Sequence, residues 1–340
     1  LRFYEIRISD PKTGASVLPS SLAGGKLSSL NADGSFNPAA LNVELDVSQT
    51  PMHAPSGASL CRIWGLSLKD LGAAFNLGAP GPAPTGPDDT TSGAHISIFG
   101  GMSKGLPLAA PAQQGLLVKG QIFQAFGNWL GTDMTLDLIL APPTGSVDAP
   151  FNFVLNWIAG STLESALRNT LSTVYPHNKL DISISDRLTL NHDEPGHWQT
   201  FEQMGGWLYR RSKAIIRDQN YPGVIMAWDG DKLRVSDFTG PPNPAKQILF
   251  RDLIGQPTWI RPLTIGVKCV MRGDLDLQDI VSLPGGLITN TAQSFLRFQD
   301  KTNFTGNYQI QSIKHYGNFR QPDAASWATV LEMTPEFKSV

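Results

Sequence analysis

Apolar residues recur at every second position along much of this chain, and that period admits little except β-strands with one buried face. Leu41, Val43, Leu45 and Val47 alternate with Asn42, Glu44 and Asp46. Leu263, Ile265, Val267, Cys269 and Met271 alternate with Thr264, Gly266 and Lys268. Trp327, Thr329, Leu331 and Met333 share one face, with Ala328, Val330 and Glu332 on the other. Successive side chains of a strand point to opposite faces, so each run presents one apolar stripe to a core. Similar patterns predict strands at 2–8, 59–66, 95–100, 116–126, 134–140, 151–158, 180–184, 223–228, 231–237, 279–283 and 307–315.

Helical signals are few. Ser161-Thr162-Leu163-Glu164 reads as a capping box with Ser161 as the cap, and Leu163, Ala166, Leu167 and Leu171 follow at helical spacing, stopped by Pro176. A second helix is expected over 198–213, opened by Trp198, and a short one near 67–75. Residues 78–94 are rich in Pro and Gly without a large apolar side chain, and are expected to form a mobile loop. Residues 141–150 and 239–246 read as linkers. The expected domains are 1–145, 150–240 and 245–340: a β-rich part, a mixed α/β part and a second β-rich part.

The two outer parts echo each other. Gly120-Gln121-Ile122-Phe123-Gln124-Ala125-Phe126 leads to Gly127-Asn128-Trp129, and Gly306-Asn307-Tyr308-Gln309-Ile310-Gln311 leads on to Gly317-Asn318-Phe319. A strand ending in Pro follows each: Leu136 to Pro142, and Thr329 to Pro335. Gly-Asn suits a tight connection between antiparallel strands, and the aromatic then caps the end of a barrel core. The fold class expected is mainly β (α+β), with two barrel-like domains flanking the mixed α/β domain.

Composition excludes more than it assigns. Charged residues are 16% of the 340, against about 25% in an ordinary domain, which suits a surface largely covered by partners. The net charge is −2 with no basic cluster, so neither nucleic-acid nor membrane-surface binding is announced. No apolar run reaches the length of a membrane span. Cys61 and Cys269 each lie in a strand pattern and are expected to be buried free thiols. The opening Leu1-Arg2-Phe3-Tyr4 is not a signal peptide, and leading residues are expected to be missing before it.

The runs 99–111, 121–138, 250–259, 271–284 and 306–319 resemble baseplate-hub proteins of Mu-like siphophages, which are similar in turn to the central hub of contractile phage tails. The resemblance implies a homotrimer in the virion, at the distal end of the tail, made in the host cytoplasm. Two barrels per chain then form a pseudo-six-fold ring that joins the hexameric tail-tube end to three-fold tip or central fibre proteins. The implied partners are sister copies, tail-tube ring proteins, tip proteins and a tape measure protein, with DNA passing only in transit and no membrane insertion. Phe3, Tyr4, Gly127, Asn128, Trp129 and Gly131 are the residues expected near subunit or ring contacts.

No catalytic residue, metal or cofactor is assigned, and the chain is not expected to be an enzyme. His192-Asp193-Glu194-Pro195-Gly196-His197 brings together metal-ligand types, but Pro-Gly breaks the helical spacing that a zinc protease motif needs. A turn into the Trp198 helix is expected instead. Asp274, Asp276 and Asp279 lack the glycine and closing Glu of a calcium loop, and a β-turn is expected there. The tryptophans are expected mostly in cores. Two rival readings are a receptor- or carbohydrate-binding tail protein with aromatics in a groove, and a tail-associated cell-wall hydrolase using His192 and His197.

Overall fold

The computed structural model describes residues 1–11, 13–18, 27–54, 59–78, 93–103, 111–141, 153–176, 178–218, 221–229, 232–238, 244–284, 304 and 306–336. Most of the loop at 78–94, and most of the linkers at 141–150 and 239–246, lie outside them.

The chain is mostly β. In its first part β1 (Arg2–Ser9), β2 (Leu27–Ser28), β3 (Asn42–Gln49) and β4 (Ser59–Trp64) precede α1 (Leu68–Ala74), and β5 (His95–Met102), β6 (Gly115–Leu130) and β7 (Asp133–Ala141) follow. The middle part holds β8 (Phe153–Trp157), α2 (Leu163–Val174), β9 (Lys179–Ser183), β10 (Glu194–Trp198), α3 (Phe201–Ile216), β11 (Ile225–Asp229) and β12 (Lys232–Ser236). The last part contains β13 (Lys246–Gln247), β14 (Thr258–Arg261), β15 (Thr264–Val270), β16 (Ile280–Leu283), β17 (Gly306–Asn318) and β18 (Trp327–Pro335).

The strands of the first and last parts join in one sheet of thirteen strands. Its path runs β14-β15-β18-β17-β3-β4-β7-β6-β5-β1-β2, with β16 on β17 and β13 on β16. Five strands recur in it with one connectivity. β3 to β7 lie in the spatial order β5-β6-β7-β4-β3, and β14 to β18 in the order β16-β17-β18-β15-β14. Within each set of five, every pairing is antiparallel.

The echo in sequence is one hairpin of each set, and it reaches down to a defect in the ladder. β6 and β7 slip register between Ile122 and Gln124, and β17 and β18 slip between Ile310 and Ser312. The extra residues, Phe123 and Gln311, follow matching Gln-Ile pairs. A bulge bends its strand and increases local twist, so both long strands curl at the same place.

Gly127-Asn128 and Gly317-Asn318 are not the turns that the sequence suggested; both pairs lie inside strands. A Cβ on Gly127 would meet Leu71 Cβ at 3.1 Å, and one on Gly317 would meet Trp327 Cε3 at 2.4 Å. Space for a neighbouring side chain, rather than a positive φ, explains these glycines. The β6–β7 turn falls at Gly131, where φ is +64°.

Three apolar cores follow the three parts. The first gathers Tyr4, Ile6, Leu45, Ile63, Ile98 and Leu138, and also takes Met271, Phe319 and Trp327 from the last part. The second packs α2 and α3 against Phe153, Trp157, Trp228 and Val235. The third contains Ile265, Val267, Ile310, Leu331 and Met333. Cys61 and Cys269 are buried free thiols, and burial pushes the Cys269 thiol up to about 12.

Both longer helices form, with shifted starts. Thr162, not Ser161, caps α2 by accepting from Ser165 N. The Ser161 hydroxyl donates instead to Ile158 O at 2.7 Å. The helix expected from Trp198 begins at Phe201, capped by Thr200. Trp198 ends β10, a strand the sequence reading missed, because β8 offers a partner edge through the pair Trp198–Phe153.

The first and last parts also touch backbone to backbone. Gly273 N donates to Gln113 O at 2.8 Å. A Cβ on Gly273 would stand 2.5 Å from Gly115 N and 2.7 Å from Gly100 O. Gly273→Ala is therefore expected to destabilise the fold by about 1–3 kcal/mol, the usual range for overpacking. Urea unfolding of the purified variant measures it; an unchanged midpoint would show that the backbones separate freely.

Candidate assembly surface

The contact between the two five-strand units inside one chain is made by backbone and side chains together. β17 has β18 along one edge, while its other edge is shared. Gly306–Gln309 pair with β16, and Ile313–Asn318 pair with β3 from Ile313–Gln49 to Asn318–Glu44. The first unit thus grows directly from the last unit's long strand.

Side chains lock this junction. The Phe319 ring lies 4.9 Å from Tyr4, edge to face, and 6.1 Å from Trp327. Trp327 Nε1 donates to Gly101 O at 2.9 Å. The Arg2 guanidinium donates to the carbonyls of Asn318 and Asp323, each at 2.6 Å, and to Ser326 Oγ at 3.0 Å. Arg320 donates to the carbonyl of Ala40. A planar guanidinium carries five donors in a fixed fork, enough to gather several carbonyls at once.

A charged network stands beside the junction. Arg272, buried with 5% of its side chain exposed, forms a two-point pair with Asp274 at 2.6 and 2.7 Å. It also lies 3.7 Å from Asp252. Burial alone would lower the Arg272 pKa, but the neighbouring carboxylates outweigh it and hold it above its ordinary value. Gln113 reaches from the first part to Asp252 Oδ2 at 3.1 Å. Lys246 bonds Asp279 at 2.6 Å, and Asp279 accepts from Asp276 N at 2.8 Å. Asp274 and Asp279 are thus paired to cations of the fold itself, and Asp276 contributes a backbone N–H.

The sequence-predicted contact residues fall in two places. Tyr4 is fully buried, donates to Leu41 O at 2.7 Å and packs at the junction between units. Phe3 is buried too, opposite Gly101 in the β1–β5 ladder. Both side chains are covered within the single chain. Gly127, Asn128, Trp129 and Gly131 lie at the far end of β6. Asn128 donates to the buried Asp137 at 2.8 Å, which Arg62 also pairs. Trp129 is 63% exposed and donates to Gly131 O at 2.8 Å.

Among the exposed apolar residues, which sequence alone did not collect, two groups stand on different strands of the two units. Phe123, Phe126 and Trp129 stand on β6, while Trp259, Ile260 and Leu263 stand on and just after β14. Trp157, Trp228 and Trp327 are core residues, and Trp198 packs on Trp207 at 4.7 Å.

The histidine-rich run does not form a centre. β10 puts Glu194 and His197 on opposite faces, as the strand period requires. Asp193 accepts from Ala159 N at 2.7 Å, and Glu194 pairs with Arg211 at 3.0 Å. Among the described residues no group of three or more His, Cys, Asp or Glu is placed to hold a metal ion, and no helix is long and apolar enough to cross a membrane. A cleft of about 560 Å³ lies between the end of β3 and α3, lined by Met52, His53, Glu202, Arg210 and Trp228 among others. His53 stacks on Tyr209 at 4.2 Å there.

No protein-family model matches the chain, and no curated protein matches it. Solved structures do. A 43 kDa tail protein of prophage MuSo2 from Shewanella oneidensis aligns over 99% of this chain and 97% of its own, with TM-score 0.49 and 8% identity. A tail protein from Neisseria meningitidis MC58 aligns over 98% and 96%, with TM-score 0.44 and 10% identity. The c3393 protein of E. coli, a type VI secretion component described as similar in structure to T4 bacteriophage tail proteins, aligns over 88% and 76%, with TM-score 0.47 and 8% identity.

The junction also buries a histidine. His315 pairs with Val47 in the ladder, is fully buried, and its Nδ1 lies 2.9 Å from Thr329 Oγ1. Burial pushes its pKa down to about 3. The unfolded chain takes up this proton near pH 6.5 and the folded chain only near pH 3, so acid favours unfolding between those limits. The loss from this group is about 1.4 kcal/mol per pH unit below 6.5. His315→Gln is expected to lose stability less steeply than the parent from pH 6.5 to 4.5. Unfolding titrations at three pH values measure the difference, and parallel slopes would show that His315 titrates normally.

Proposed function

We propose that the chain is a structural subunit of the distal end of a phage tail, a baseplate hub that works by assembling into a ring. One observation carries this reading. The same five-strand unit occurs twice in one sheet, joined by a single ladder between β3 and β17, and β6 of the first unit and the terminal β14 of the last carry exposed apolar side chains. A chain with two like units joined head to tail suits a closed ring whose unit count is twice its chain count. Three chains give six units, which suits a junction between a hexameric tube end and a three-fold tip.

In this reading each unit is a barrel-like wall segment. The bulged long strands curl the sheet, and Gln49 on β3 donates to Leu117 O on β6 at 2.6 Å, drawing two strands that are not sheet neighbours together across the unit. The middle part, built on its own core, lies at the periphery of the ring. The wall encloses a channel through which DNA passes, and its chemistry is structural rather than catalytic. Sister copies, tail-tube ring proteins, tip proteins and the tape measure protein are the partners, and the virion tail is the location.

The native mass of the full chain, followed by sedimentation velocity, tests the proposal. A trimer with a central opening in negative-stain images is the expected result; a monomer at every soluble concentration overturns it. Trp129→Ala is expected to weaken association about 30-fold, the effect of losing roughly 2 kcal/mol at an aromatic anchor. Its circular dichroism should not change, because the side chain is exposed in the single chain.

A further inference from the structure

We infer that β14 of one copy pairs antiparallel with the second half of β6 of the next copy, repeating between chains the β3–β17 ladder seen within one. The inference rests on the ring reading and supplies its contact.

The argument is one of equivalence. Within the repeated order, β3 corresponds to β14 and β6 corresponds to β17. Inside the chain, the first unit's β3 lies on the last unit's β17. Applying the same step once more places the last unit's β14 on a first unit's β6, and that strand belongs to another chain. Both edges lack a further strand partner among the described residues. β14 ends the sheet path, with β15 as its only strand partner among the described residues. β6 pairs with β5 only up to Gln121, and the same edge beyond it has no strand partner among the described residues. Gly78 approaches the backbone of Phe123 to Ala125, so the open stretch is Phe126–Leu130.

The register follows from the ladders. Counted from the bulges, Asn128 of β6 occupies the place of Tyr316 in β17. Thr258 faces Gly266 of β15 as Asp46 faces Leu60 of β4. Tyr316 pairs with Asp46 within the chain, so Asn128 pairs with Thr258 between chains. An unpaired edge bearing apolar side chains is a template for another strand, and this pairing puts Trp259 of one copy opposite Gly127 of the other, on the same face as Trp129 and diagonal to it. Phe319 is buried at the internal junction, whereas Trp129 is exposed in the single chain.

A double variant, Asn128→Cys with Thr258→Cys in the full chain, tests the register. Arg62 keeps Asp137 paired when Asn128 is replaced, and the native thiols are buried. Mild oxidation is expected to give covalent trimers on a denaturing gel, since directly opposed Cβ atoms lie about 4.5–5.5 Å apart. Asn128→Cys with Ile260→Cys is expected to cross-link far more slowly. Oligomers of native mass that fail to cross-link at 128 and 258 would overturn this pairing and leave the ring standing. Absence of any oligomer would overturn both.

Discussion

The backbone ladder between β3 and β17 is the constraint on which the rest depends. It joins residues more than two hundred and sixty positions apart in pairs such as Ile313–Gln49, and makes one sheet from two units. Without it, Phe319 and Trp327 would leave the first core, and Arg2 would lose the carbonyls it gathers. A sheet edge satisfied by a sister unit also needs no other device to keep it from aggregating.

Buried charge and close-packed glycine hold the orientation that the ladder sets. Arg272 is desolvated, and its pairing with Asp274 offsets that cost while adding little net stability. Its value lies in geometry, because the guanidinium ties Asp274, Asp252 and the Gln247 carbonyl to one point. Gly115 and Gly273 allow the two backbones to meet without side chains between them. The middle part is tied in more lightly, with Met52 N donating to Met226 O and Gly205 packed on Met52.

Much of the strand content was legible because alternation reports one buried face, and Val43, Leu45 and Val47 are indeed buried where the pattern put them. The echo of Gln-Ile and Gly-Asn-aromatic pointed to matching hairpins. It misassigned their turns, since a glycine that clears space for Leu71 or Trp327 looks in sequence like one that turns a chain. Glu194–Trp198 was missed as a strand because Pro-Gly reads as a break, and only the neighbouring β8 edge makes it pair. Of the predicted contact residues, Tyr4 and Trp129 looked alike as aromatics; burial in this chain separates them.

By itself the sequence determined most of the stretches that become strands, where the two long helices lie, and that two outer parts share a hairpin, because these depend on local period and composition. The tertiary structure decided which edges meet, which carboxylates are neutralised by cations of the fold, and which aromatics remain in water. Those outcomes depend on pairings between residues far apart in the chain, and a period of two says which face is buried without saying against what.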